Sequence, residues 1–162
     1  MTRRLLLKVA SFLVAGQVFA QTDEAHLRPP QKDLPYLLEA SKLIPTEAQP
    51  ATGSKSKGGE TFSVPGTTSS ARTPLPEPIF LFSPGQIQAE QFALFHFEVK
   101  NGRREVTLSK HSEDSNNPSE RRLTVRKVNP DVYRIEAAEM LDPGEYALSP
   151  QGVNKAFCFT VY

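Results

Sequence analysis

The 162-residue chain has no tryptophan, two methionines, three histidines and one cysteine, Cys158. A single cysteine excludes an intramolecular disulfide, so the fold must stand on its core alone. Set between Phe157 and Phe159, with no basic neighbour in sequence, it reads as a small, partly buried strand residue rather than a reactive thiol. There is no Cys/His cluster at zinc spacing, no glycine-rich phosphate loop and no Gly-x-Ser-x-Gly nucleophile turn. No apolar run reaches transmembrane length, so the chain is read as not membrane-spanning. It is also read as non-enzymatic, with no cofactor and no metal.

The N-terminus carries the first positive signal. Arg3, Arg4 and Lys8 make a basic start, Val9–Phe19 an apolar stretch, and Val18-Phe19-Ala20 a small-residue cleavage pattern. Residues 1–20 therefore read as a secretory signal peptide cut after Ala20, and the protein as secreted or periplasmic. Thr2–Lys8 also resembles a twin-arginine export signal. Removing three of the 19 basic residues leaves 16 against 18 acidic ones, a net charge near −2. Such a chain lacks the basic face that nucleic acid would demand.

Residues 21–59 are rich in proline, serine and glycine and read as a flexible extension, ending in a linker at Ala51–Gly59. One apolar island interrupts it, Asp33–Pro45. Asp33 is a helix cap, Pro35 is tolerated in a first turn, and Pro45 is a stop, so a short helix is expected near 34–44. Such a helix would not persist alone. It docks on the body, or its Leu34, Tyr36, Leu37, Leu38, Leu43 and Ile44 side chains bind another envelope or secreted protein.

The β-rich domain is expected over 60–162, with its core in 76–162. Thr67–Pro78 reads as an extended connection along a sheet edge. Seven strands are expected, at 79–82, 92–100, 103–110, 121–128, 131–137, 145–149 and 156–162. In the second of these Ala93, Phe95, Phe97 and Val99 are placed inward, and Leu94, His96 and Glu98 outward. Asn101-Gly102 is a two-residue hairpin turn of the primed type. Pro143-Gly144 reads as a type II turn, with Gly144 at positive φ. The arginines at 103–104 and 121–122, with Glu98, Glu105, Glu136 and Glu145, read as a solvated outer face.

Leu141, Pro143, Gly144 and Tyr146 together form Leu-x-Pro-Gly-x-Tyr, which resembles the tyrosine corner of Greek-key β-sandwiches. That resemblance implies a phenol folded back onto upstream backbone, at the start of the sixth of seven strands. As a whole, residues 76–162 resemble small secreted bacterial β-sandwich proteins, which implies a fold and export but no activity. The expectation is an all-β, antiparallel immunoglobulin-like β-sandwich of about seven strands. A signal peptide, a short helix and a disordered linker precede it. Among polar groups, His111, Glu113 and Asp114 make a weak cation loop, and His26 and His96 stand apart. The leading function is an interaction module for a protein or the cell envelope. The alternatives are a small-ligand or carbohydrate-binding sandwich, and a hydrolase.

Overall fold

The structure is a computed structural model and describes residues 26–55, 57–109 and 117–162; the signal peptide expected at 1–20 lies outside them. The described residues form fourteen strands and no α-helix. Four short strands come first: β1 (Tyr36–Glu39), β2 (Lys42–Pro45), β3 (Glu47–Pro50) and β4 (Thr52–Lys55). Next come β5 (Gly59–Pro65), β6 (Arg72–Thr73) and β7 (Ile79–Phe82), then a 3-10 turn at Ala89–Gln91. The remainder holds β8 (Phe92–Lys100), β9 (Arg103–Ser109), β10 (Glu120–Arg121), β11 (Leu123–Asn129), β12 (Val132–Ala137), β13 (Gly144–Pro150) and β14 (Lys155–Val161).

Two sheets result. The smaller runs β11-β12-β7-β1-β2, antiparallel throughout. The larger runs β3-β14-β13-β8-β9-β5-β4, with β10 added to β8 and β6 lying parallel to β14. β6 thus brings the 67–78 connection onto the sheet. The sheets face each other across one core. Leu37, Phe80, Phe82 and Ile135 come from the smaller sheet; Leu94, Tyr146, Leu148, Phe157 and Phe159 come from the larger. Edge-to-face rings join them: Phe80 to Phe159 and Phe82 to Phe92, each 5.0 Å between centroids.

The larger sheet also has a core on its other face. β3 and β4 are consecutive, with only Ala51 between them, yet they stand at opposite ends of the strand order. β3 pairs with β14 and β4 with β5, so the sheet curls until its two ends meet in one bent segment. Val64, Phe97, Val106, Ala147, Ala156 and Cys158 fill the inside of the curl. β8, β13 and β14 are therefore a wall shared by two cores, which is why Phe92–Phe97, Tyr146–Leu148 and Ala156–Val161 are nearly unbroken apolar runs. This corrects the inward/outward assignment in β8. Leu94 is fully buried on the supposed outer face, whereas Val99 is 49% exposed.

The expected helix at 34–44 is a β-hairpin. Ala40, at φ +53°, turns the chain between β1 and β2, and Leu38 pairs with Leu43 across it. β1 lies between β2 and β7 and is buried on both faces, and a short run apolar on both faces looks alike as helix or strand. Asp33 is a latch and not a cap. Its carboxylate accepts the backbone N–H groups of Gly85, Gln86 and Ile87 at 2.8–2.9 Å. Burial opposes its ionisation, but these three donors outweigh it and hold the pKa below the usual carboxylate value. The 51–59 linker is also corrected: Thr52–Lys55 is a strand, exposed on both faces but hydrogen-bonded to β5.

Asn101 and Gly102 take φ of +51° and +74°, as a primed hairpin turn requires. Gly144 does not take a positive φ. It begins β13 directly, and its small size serves packing: a Cβ there would stand 2.9 Å from His96 Nε2. Tyr146, 1% exposed, stacks on Phe159 and donates its hydroxyl to the Asp142 carbonyl at 2.9 Å. Leu141 is buried beneath it, with its N–H on the Pro76 carbonyl.

Two stability outcomes follow from this packing. Leu37→Ala should cost about 2–5 kcal/mol in denaturant unfolding, the range for a core leucine, whereas a leucine on a detached extension would cost nothing. Tyr146→Phe should cost roughly 0.5–1.5 kcal/mol, the net worth of one hydrogen bond, with the unfolding slope unchanged.

Candidate functional site

The residues expected to bind a partner are built into the protein itself. Leu37 lies in the core between the sheets, with Leu34 and Ile44 packed against it. Tyr36 and Leu38 are buried on the other face of β1, and Leu43 is half-buried opposite Leu38. As strand residues they have no free apolar face to offer, which removes the 34–44 motif as a tethered recognition helix. Leu141, Pro143, Gly144 and Tyr146 stay together at the start of β13, in an architectural role.

The histidines do not converge. His26 is exposed at the start of the described chain, and His111, Glu113 and Asp114 lie outside the described residues. His96 packs its ring on Tyr146, 4.9 Å between centroids, and burial, then the Arg121 charge, lower its pKa. No three metal-ligating side chains come together among the described residues.

The inside of the curled sheet carries more chemistry. One end is closed by charge. Arg104, 1% exposed, donates to Glu47 Oε1 and to the Pro65 carbonyl, each at 2.8 Å, and to the Gly66 carbonyl at 3.2 Å. Its Nη1 lies 3.7 Å from Glu145 Oε2. Glu145 accepts from Thr160 Oγ1 at 2.8 Å and from the Ser69 N–H at 3.0 Å, and Glu47 accepts from the Ser70 N–H at 3.0 Å. The 66–70 loop is thereby tied across this end. Arg104 and Glu145, read from sequence as solvated, are instead buried and partnered, the condition under which buried charge is tolerated. Burial opposes ionisation of Glu47, but the Arg104 guanidinium and hydrogen bonds from Ser69, Gln49 and Ser70 hold its pKa down to about 2.

Above the plug the interior turns apolar. Phe97, Val106 and Cys158 are buried there. Burial pushes the Cys158 thiol up to about 12, so it is an inert packing group. Beyond them the interior opens into a cavity of about 430 Å³. Phe62, Phe95, Phe97, Val106 and Leu108 supply most of its apolar surface. Ala51, Ala93 and Ala156 line it too, and their small side chains leave the space open. Gln151–Asn154 and Glu120, all exposed, stand at the rim. Glu120 pairs across the sheet with Phe95, and directly opposed residues share a face, so it stands on the cavity side.

The cavity was missed in sequence because its walls come from β5, β8, β9, β10, β13 and β14, whose adjacency is set by non-local pairing. One sign was present: Phe62 and Leu108 are large apolar residues set between polar neighbours, Thr61 and Ser63 for the first and Thr107 and Ser109 for the second. No family model, no curated protein and no solved structure matches the chain.

Glu47 gives this end of the sheet a pH dependence. Its folded pKa lies below its unfolded value, so its contribution is present above about 4.5 and is lost as pH falls toward about 2. Glu47→Gln should cost roughly 1–3 kcal/mol at neutral pH, the worth of hydrogen bonds to a charged group. In acid denaturation the gap between wild type and variant should close across that window.

Proposed function

We propose that the protein is an exported, non-enzymatic binding module that takes a small, mostly apolar ligand inside its curled sheet. The observation that carries this reading is the 430 Å³ cavity walled by Phe62, Phe95, Phe97, Val106 and Leu108. Its volume falls within the range of small-molecule sites, and an apolar wall with a few polar groups at one end is their usual composition. Among the described residues of the lining Glu120 is the one ionisable side chain and no histidine is present, an arrangement better suited to binding than to hydrolysis. Enclosed phenylalanine rings also suit an apolar guest better than a carbohydrate, which favours an open aromatic platform.

Export rests on the basic start, apolar stretch and Ala20 cleavage pattern of residues 1–20. The immunoglobulin-like reading of the framework is supported by two facing antiparallel sheets and by the Tyr146–Asp142 hydrogen bond at the start of the penultimate strand.

The neutral fluorophore N-phenyl-1-naphthylamine should bind the mature protein one to one with enhanced emission. Ala93→Phe, which fills the cavity from its wall, and Leu108→Gln, which makes the wall polar, should each weaken it about tenfold or more, equivalent to about 1.4 kcal/mol. Unchanged affinity in both folded variants, or no binding by wild type, would overturn the proposal.

A further inference from the structure

The charge distribution around the cavity names the polar end of its guest. We infer that the ligand is a small amphiphile with a cationic or neutral head, such as a long-chain amine or alcohol, and not an anionic one. This rests on the cavity being a ligand site and goes further, to the class of molecule it accepts.

Three observations converge. First, the cavity is asymmetric. Phe97, Val106 and Ala156 at its inner part are buried, while Gln151–Asn154 and Glu120 at its rim face water. An apolar tail therefore points inward and a polar head stays at the rim, where it keeps its hydration.

Second, among the described residues the sign of the rim is set by one side chain. Glu120 is directly opposite Phe95 on the shared face, and its carboxylate has no hydrogen-bond or ion-pair partner among the described side chains. Its backbone N–H is tied to the Asn117 carbonyl, which fixes the strand that presents it. Among the described residues no lysine or arginine contributes to the lining. The neighbouring Arg121 turns its Nη1 to the Pro118 and Glu120 carbonyls.

Third, Arg104, the one buried cation of the curl among the described residues, is committed elsewhere. Arg104 is held by Glu47, Glu145 and the Pro65 and Gly66 carbonyls at the closed end, beyond Val106. An anionic head could reach no free guanidinium there without breaking that network, and at the rim it would meet the Glu120 carboxylate.

The size of the guest follows from the volume. At roughly 30 Å³ for each water-sized group, 430 Å³ holds on the order of a dozen heavy atoms. A dodecyl chain is thus a fitting probe.

The test is displacement of bound N-phenyl-1-naphthylamine by dodecylamine, dodecanol and dodecanoate, each below its micelle concentration at neutral pH. Amine and alcohol should displace it. The carboxylate should be weaker than the amine by roughly three- to tenfold, as expected of one ion pair at a water-facing rim. Glu120→Gln should bring amine and alcohol to within about twofold of each other, and Glu120→Lys should turn the preference toward dodecanoate. Equal displacement by dodecanoate and dodecylamine, or an order of preference indifferent to both substitutions, overturns this inference and leaves the cavity reading standing. Failure of the fluorophore itself to bind overturns both.

Discussion

A wall with apolar side chains on both faces is the constraint on which this architecture depends. β8, β13 and β14 send Leu94, Tyr146, Leu148, Phe157 and Phe159 toward the smaller sheet and Phe97, Ala147, Ala156 and Cys158 into the curl. Neither face can be left in water. At about 25 cal/mol per Å² of apolar surface, exposing either side of three strands would remove more free energy than a small domain has to spare. The smaller sheet covers one face. Nothing separate covers the other, so the larger sheet bends round and covers it with its own far strands. β13 and β14 turn their large side chains toward the smaller sheet and Ala147, Ala156 and Cys158 into the curl, where these small groups leave room beside Phe95 and Phe97 for the cavity.

The two ends of the curl solve the same problem in opposite ways. At one end Arg104, Glu47 and Glu145 lie under the 66–70 loop, and each charge has partners in place. Ion pairs of this kind contribute little net stability, since desolvation offsets most of the attraction, but losing one partner leaves the others stranded. They therefore act chiefly to fix geometry: five segments are held by one guanidinium and the two carboxylates around it. At the other end no such plug is found among the described residues, and apolar rings face the opening.

Local chemistry was readable in the sequence and remote pairing was not. Asn101-Gly102 needs only two adjacent residues to specify a primed turn, and the Tyr146–Asp142 bond spans four positions. The strands from Ile79 onward were visible from alternation and turn residues, and β7 and β8 begin and end where expected. The 34–44 island was misread because an element buried on both faces has no periodicity to separate helix from strand. Pro143-Gly144 was misread because glycine serves two needs, unusual φ and close approach, and here the His96 ring requires the second. Arg104 and Glu145 looked like surface charges because burial of a charge depends on partners far away in sequence. The same distance hides the cavity.

The bent segment at Ala51 also orders events in time. β3 comes early among the described strands and pairs with β14, the last of them. The curl cannot close until β14 is available, and no piece shorter than 47–161 contains its complete wall. Such non-local closure slows folding, because the entropy of a long loop must be given up before the contacts that compensate it can form. A nascent chain would thus stay open until β14 arrives, and the cavity would appear all at once, as the curl closes.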